Sequence, residues 1–108
     1  HAFNGSLEQA KRFLDLGFVL GIGGTVTYPR ANKARRVLSA LEGSAFILET
    51  DSPDMPLNGF QGQNNTPLSI PLIAHCVATI REEDIEQITM QTYANLLRVF
   101  PKWNEDLL

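Results

Sequence analysis

A histidine and an aspartate are the side chains of this sequence best suited to hold a divalent metal ion. His1 opens the sequence, and Asp51 comes soon after the apolar run at residues 45–48. Imidazole nitrogen and carboxylate oxygen both coordinate divalent cations. In parallel α/β folds such side chains gather where strands end, at one edge of the sheet. The pattern predicts a shared metal site; a turn aspartate and a solvated histidine are the alternative reading.

Other residues could meet a substrate at the same edge. Tyr28 and Arg30 supply an aromatic ring and a guanidinium, which could contact a substrate phosphate or could equally anchor a loop. The glycine-rich segment 21–25 lacks the full Gly-x-Gly-x-x-Gly pattern and the phosphate-loop lysine. We therefore interpret it as a tight turn that allows close backbone approach, and not as a nucleotide site. His75 and Cys76 are adjacent in a predicted helix, where packing or surface positions are expected rather than a catalytic pair.

The elements that must position these residues are helices alternating with apolar runs. Helical periodicity predicts helices over residues 6–16, 32–41, 69–80 and 83–100. The first begins with a Ser6–Gln9 capping box, and its apolar residues Leu7, Ala10, Phe13 and Leu14 share one side. The last carries one stripe of residues: Ile85, Ile88, Thr92, Leu96 and Val99. Buried strands are predicted over residues 18–22 and 45–48, and a long polar loop over residues 52–67. This alternation predicts an α/β fold with a parallel sheet.

Two strands are too few for a parallel sheet that is stable in water. Such a sheet needs neighbours at its edges and helices on both faces. The pattern therefore predicts the trailing part of a larger α/β domain, with a further strand expected just before His1.

Composition excludes several classes of protein. Of 108 residues, 44% are hydrophobic and 19% are charged, which is too apolar for intrinsic disorder. The net charge of -3 argues against a broad basic surface for nucleic acid, but not against a nucleic acid held through metal ions. The single Cys76 excludes a disulfide scaffold and fits a reducing cytoplasm, where we expect the protein. No signal peptide is recognised and no apolar run reaches the roughly 18 residues that span a bilayer, so no membrane partner is expected.

Taken together, the segments resemble the C-terminal part of the TatD-type metal-dependent deoxyribonucleases, a family of (β/α)8-barrel hydrolases. The matching motifs are HAFNGS at residues 1–6, LGF with GIGG within residues 16–24, LETDSP at residues 48–53, and the closing helix around residues 92–100. Asn4 stands where the family usually has serine. The order and spacing of the motifs agree over nearly the whole chain.

The resemblance implies a fold and roles for particular residues. Residues 1–108 would be the C-terminal fragment of one TIM-barrel domain, about its last three βα units. His1 would bind a divalent metal ion, and Asp51 would bind metal and position or deprotonate the attacking water. Glu49 is expected to give indirect support at best. Two ions per full-length protein, Zn, Mn or Mg, would act on DNA or another phosphoester.

The family's His-x-His pair, its mid-barrel glutamate and a further histidine have no counterparts in this sequence. A barrel of this class needs about 250 residues. We therefore expect the isolated chain to be inactive and to associate with the missing part of the barrel or with a copy of itself. Two alternatives stay open: a non-catalytic α/β binding or assembly module, and a hydrolase of the same fold with a non-DNA ester substrate.

Overall fold

The structure, a computed structural model, describes residues 1–101, and the statements below concern this part of the chain. Within it, helices and strands alternate as far as the second strand, and two helices follow. The helices are α1 (Leu7–Asp15), α2 (Asn32–Ala40), α3 (Ile70–Arg81) and α4 (Ile85–Val99); the strands are β1 (Leu20–Ile22) and β2 (Phe46–Leu48). Single turns of 3-10 helix occur at Gly24–Thr27, Gly43–Ala45 and Pro67–Ser69. The predicted α/β alternation is confirmed.

The two strands are parallel, with Gly21 opposite Ile47 in the register. Beyond the strand pair, the amide of Glu49 donates to the carbonyl of Ile22 at 3.0 Å, which carries the pairing to the end of β2. The amide of Phe3 donates to the carbonyl of Gly21 at 3.0 Å. Because successive carbonyls of a strand point to opposite sides, residues 1–3 lie along the edge of β1 that faces away from β2. The carboxyl ends of both strands and the first residues therefore meet at one place.

Helix α1 begins as the capping box predicts. The Ser6 hydroxyl accepts from the amide of Gln9 at 3.1 Å, and the Gln9 side chain accepts from the amide of Ser6 at 2.8 Å. Ala10 is fully buried, whereas Phe13, predicted on the same apolar side of the helix, is 44% exposed. Phe13 instead makes an edge-to-face contact with Phe18, with 5.7 Å between ring centroids. Helical periodicity identifies the apolar side of the helix but does not show how much of that side the neighbouring elements cover within the described residues.

The core lies between the sheet and α2, α3 and α4. Helix α3 packs against α2 and α4, and α4 packs against β2. Full burial of a large apolar side chain contributes about 1.5–3 kcal/mol to the free energy of unfolding. The largest fully buried side chains are Phe46, Leu38, Ile73, Ile88 and Val77.

Arg81 connects three parts of this core. Its Nη1 donates to the carbonyls of Leu38 and Leu41 at 2.6 Å each, and its Nε pairs with Glu83 at 2.5 Å. The guanidinium carbon lies 5.0 Å from the centroid of the Phe46 ring. Only 8% of the Arg81 side chain is exposed, so the ion pair and hydrogen bonds offset the cost of burying its charge. Arg81 thus joins the end of α2 to the turn between α3 and α4.

Helix α4 differs from the predicted stripe of buried residues. The structure buries Ile88, Thr92 and Asn95, while Val99 is 41% exposed. Asn95 Nδ2 donates to the carbonyls of Gly43 at 2.8 Å and Phe46 at 2.7 Å. A search for apolar periodicity overlooks this buried amide, because the amide enters the core by satisfying backbone carbonyls that would otherwise lack partners.

The segments between elements also differ from their predictions. The first strand begins at Leu20 and not at residue 18, and Phe18 is 57% exposed. The predicted loop at residues 52–67 is not wholly polar, since Leu57 is 97% buried and Asn65 is also buried.

Among the described residues, the helices are all too short or too polar to cross a membrane. Residues 102–108 of the predicted domain lie outside the described residues.

Candidate metal centre

His1 and Asp51 lie side by side at the carboxyl ends of the strands. Nε2 of His1 is 3.4 Å from Oδ1 of Asp51. His1 is brought there by the segment bonded along β1, and Asp51 by the end of β2. The structure therefore brings together the two residues that the sequence singled out. Their role as metal ligands stays a prediction.

The separation of the two atoms suits a shared metal ion. Two donors that each lie about 2.0–2.1 Å from a zinc ion at the tetrahedral angle are themselves about 3.3–3.4 Å apart. The His1 side chain is 66% exposed and that of Asp51 35%, so an ion can reach the space between them. Within residues 1–101, no group of three or more His, Cys, Asp or Glu side chains is placed to hold a metal. The described residues therefore fit as one part of a ligand set.

Glu49 approaches the other nitrogen of the same ring. Its Oε1 lies 3.1 Å from Nδ1 of His1 and accepts a hydrogen bond of 2.6 Å from the amide of Ala2. The Glu49 side chain is 19% exposed, against 35% for Asp51. The imidazole thus lies between two carboxylates, one on each nitrogen. This contact agrees with the supporting position expected of Glu49.

The glycines of segment 21–25 make room for this arrangement. A Cβ atom on Gly21 would lie 2.7 Å from Cδ of Glu49 and 3.3 Å from Cα of His1. A Cβ on Gly23 would lie 3.1 Å from the carbonyl oxygen of Glu49, and one on Gly24 would lie 2.7 Å from that of Met55. These distances are too short for a side chain to fit without movement of its neighbours. The interpretation of the segment as a site of close backbone approach is confirmed.

The backbone at the site adopts an uncommon conformation. Asp51 has φ 58° and Ala2 has φ 48°, both in the left-handed region. Aspartate is one of the few side chains that enter this region readily, whereas alanine does so at a cost. Strain of this kind is concentrated at functional sites, where surrounding contacts maintain it.

A buried asparagine holds the loop that follows Asp51, and sequence reasoning missed it. Asn65 is 6% exposed, and its Nδ2 lies within hydrogen-bonding distance of three carbonyls: Thr50 at 2.9 Å, Asp54 at 3.0 Å and Met55 at 3.1 Å. The carbonyl of Asp51 itself accepts from the amide of Asp54 at 2.9 Å. An asparagine in a polar loop gives no signal in the sequence, so only its burial reveals this role.

Tyr28 and Arg30, the predicted substrate contacts, lie in the segment beside the same loop. The hydroxyl of Tyr28 donates to the carbonyl of Pro56 at 2.7 Å, and the Arg30 guanidinium carbon lies 5.5 Å from the centroid of the Tyr28 ring. The hydroxyl of Thr27 accepts from the amide of Asn58 at 2.9 Å, which joins the two segments a second time. Tyr28 is thus a loop anchor. A contact between either residue and a substrate stays a prediction.

His75 and Cys76 do not form a catalytic pair in the structure. His75 is exposed, whereas the Cys76 thiol donates to the carbonyl of Val26 at 3.4 Å. Burial raises the pKa of the Cys76 thiol, and the nearby Arg35 guanidinium partly opposes this effect. A protonated, partly buried thiol is a poor nucleophile. This agrees with the expectation of packing and surface positions.

Structural comparison defines the class of protein to which this fold and site belong. The crystal structure of YjjV, a TatD homolog from Escherichia coli K12, matches with a TM-score of 0.86 and 46% sequence identity, over 90% of this chain and 38% of that one. A hydrolase TatD family protein from Entamoeba histolytica matches with a TM-score of 0.76 at 17% identity and shows the same fold. The chain has the architecture of part of a TIM-barrel hydrolase. The family model described as "TatD related DNase" matches residues 1–101, and the chain belongs to that family.

Curated relatives agree with this assignment. A protein of Haemophilus influenzae named an uncharacterized metal-dependent hydrolase is 50% identical over 100 residues, which are 93% of this chain and 38% of the relative. The metal-dependent hydrolase YjjV of Escherichia coli K12 is 46% identical over 93% of this chain and 39% of its own length. The 3'-5' ssDNA/RNA exonuclease TatD of Klebsiella pneumoniae is 32% identical over 93% of this chain and 40% of its own length. The chain thus spans about two fifths of the length of these relatives.

Proposed function

We propose that the protein containing this chain is a divalent-metal-dependent hydrolase of phosphodiester bonds. Residues 1–108 are then the C-terminal part of its barrel domain. The observation that carries the proposal is the 3.4 Å separation between Nε2 of His1 and Oδ1 of Asp51, at the carboxyl ends of parallel strands. The names of the relatives as metal-dependent hydrolases support it.

His1, through Nε2, and Asp51, through Oδ1, are the residues that would hold the metal. Imidazole and carboxylate together suit Zn and Mn, and Mg less well. When bound, two such ions supply positive charge and Lewis acidity at a phosphoryl oxygen. The other ligands come from outside residues 1–101 in this proposal, since those described residues hold no group of three suitable side chains.

Asp51 has a second task in the proposal. One of its carboxylate oxygens faces His1, and the partly exposed carboxylate leaves the other oxygen to orient the attacking water and to accept its proton. The Asp51 backbone that carries this side chain is left-handed, and its carbonyl accepts a hydrogen bond from the amide of Asp54. Asp51 is therefore the catalytic residue of the described part of the chain.

The proposed substrate class rests on the chemistry of the site and on the name of one relative. The name of the Klebsiella exonuclease supports a single-stranded nucleic acid. With a net charge of -3, the chain offers little basic surface, so the metal ions would supply most of the charge that attracts phosphate. Arg30, stacked on Tyr28, is the proposed contact for a substrate phosphate, because a guanidinium matches its geometry. The two more similar relatives are named as metal-dependent hydrolases without a substrate, so a non-DNA ester is the second candidate.

The rest of the barrel is the proposed partner of residues 1–108. Phe13, Leu16 and Phe18 are 44%, 74% and 57% exposed beside β1, and they supply apolar surface for such an association or for pairing with a second copy. We therefore expect no hydrolysis by residues 1–108 alone, because the ligand set would be incomplete.

The test is Asp51→Asn in the protein at its natural length, compared with Asp54→Asn, which alters an exposed aspartate of the same loop. Hydrolysis of a single-stranded oligonucleotide, of a small aryl phosphodiester and of a small carboxylic ester is measured after chelation and after return of Zn, Mn or Mg. We expect Asp51→Asn to lose at least about 100-fold in rate and Asp54→Asn to retain activity. Unchanged activity of Asp51→Asn would refute the role of Asp51. Hydrolysis of the carboxylic ester alone would support the second candidate, a hydrolase of the same fold with a non-DNA ester substrate.

A further inference from the structure

Glu49 contacts the imidazole nitrogen that faces away from Asp51. We propose that Glu49 is a positioning residue: its carboxylate keeps the His1 proton on Nδ1, so that Nε2 presents its lone pair beside Asp51. The inference rests on the proposed function, because only a metal site requires that lone pair. A neutral imidazole can coordinate a metal through one nitrogen only when the other nitrogen carries the proton.

The geometry favours Glu49 over Asp51 as the group that determines the tautomer. Oε1 of Glu49 lies 3.1 Å from Nδ1, whereas Oδ1 of Asp51 lies 3.4 Å from Nε2. The Glu49 side chain is 19% exposed and that of Asp51 is 35% exposed. A charge that is closer and less hydrated acts more strongly on a proton, because less solvent screens it. Both differences favour Nδ1 over Nε2 as the position of the proton.

Glu49 is also held in place more firmly than a surface carboxylate. Its amide donates to the carbonyl of Ile22 at 3.0 Å, which extends the pairing of β2 with β1. Its Oε1 accepts from the amide of Ala2, next to His1 in the chain. Its carboxyl group lies against the backbone of Gly21, so a Cβ atom at residue 21 would displace it. One side chain thus orients both the His1 ring and the backbone that carries it.

A purely structural role for Glu49 would have different consequences. If Glu49 only accepted the hydrogen bond from Ala2, glutamine would replace it, since its amide oxygen accepts equally well. If the negative charge of Glu49 beside Nδ1 matters, glutamine keeps the hydrogen bond to Ala2 but polarises the imidazole less. Metal binding then weakens.

Nitrogen chemical shifts of the histidine rings test the tautomer directly. The metal-free protein at its natural length is labelled with ¹⁵N-histidine, and spectra are taken where the imidazoles are neutral. Loss of signals in His1→Gln and His75→Gln assigns them. We expect the Nδ1–H tautomer for His1 and, for the exposed His75, the Nε2–H tautomer that imidazole prefers in water. In Glu49→Ala, His1 should revert to the Nε2–H form. An Nε2–H tautomer for His1 in the unaltered protein would overturn the proposal.

Zinc affinity, measured by competition with a chelator, gives the second readout. We expect Glu49→Ala and Glu49→Gln to bind Zn²⁺ about 10- to 100-fold more weakly than the unaltered protein. Glu86→Gln, which makes the same change at an exposed position of α4, should leave the affinity unchanged. Full affinity in Glu49→Gln would overturn the proposal even if Glu49→Ala fails to fold. If the unaltered protein bound no Zn²⁺, Mn²⁺ or Mg²⁺, the proposed function would fail, while the tautomer of His1 would still decide the role of Glu49.

Discussion

Gly21 and Glu49 are in direct contact across the strand pair: a Cβ atom at residue 21 would lie 2.7 Å from Cδ of the glutamate. The position belongs to β1 and pairs with Ile47, so the strand backbone cannot move away without breaking the register. The absence of a side chain at residue 21 is therefore what allows a carboxylate to lie beside His1.

Gly21→Ala should disturb the site without removing any polar group from it. The new methyl group would push the Glu49 carboxylate away from His1. We expect zinc affinity to fall roughly tenfold or more, as in a variant without the Glu49 carboxylate. Calorimetric titration with Zn²⁺ measures the change. Gly43→Ala is the control, because the atoms nearest to its Cβ would be those of the Gln91 side-chain amide. Equal zinc affinity in both variants would show that the close contact is irrelevant to the site.

Asn65→Ala should destabilise the protein through the loop that follows Asp51. The substitution leaves the carbonyls of Thr50, Asp54 and Met55 without the amide they face, and an unsatisfied buried polar group costs about 1–3 kcal/mol. Urea unfolding measures the loss. Asn64→Ala, the same change at the exposed neighbouring residue, should stay within about 0.5 kcal/mol of the unaltered protein. A loss no larger in Asn65→Ala than in Asn64→Ala would contradict the anchoring role.

Cys76 should make stability depend on pH in the alkaline range. Burial raises the pKa of its thiol above the ordinary value of 9.0, with partial opposition from Arg35, so the folded protein retains a proton that the unfolded chain releases. This stabilising contribution is complete below the ordinary value and declines as the pH rises above it towards the raised pKa. The measurement is the free energy of unfolding from pH 7 to 10, with Cys76→Ala as the reference that lacks the thiol. Parallel curves for the two proteins would show that burial of Cys76 has no such effect.

Local features of the sequence predicted most of what local interactions control. The capping box at Ser6 and Gln9 depends on residues three apart, and it forms as expected. The strand ends could be predicted because short apolar runs between helices indicate parallel strands, whose carboxyl ends share an edge. That rule was enough to predict that His1 and Asp51 meet.

Contacts between distant segments could not be predicted in the same way. Asn95 and Arg81 are polar residues in helices, and nothing in their neighbourhood indicates that they reach the carbonyls of Phe46 and Leu38. The exposure of Phe13 likewise depends on elements that pack, or do not pack, against it. Burial of a polar side chain is favourable only where partners are present, and those partners lie 40 or more residues away along the chain.

The amino-acid sequence by itself determined the alternation of helices and strands, the position of the two candidate ligands after apolar runs, and the membership of the chain in its family. Only the tertiary structure decided that Glu49 contacts the second nitrogen of His1 and that Asn65 holds the loop after Asp51. The physical reason is range: periodicity and capping act over a few residues, whereas the direction of a side chain and its partners are defined when distant strands and loops come together.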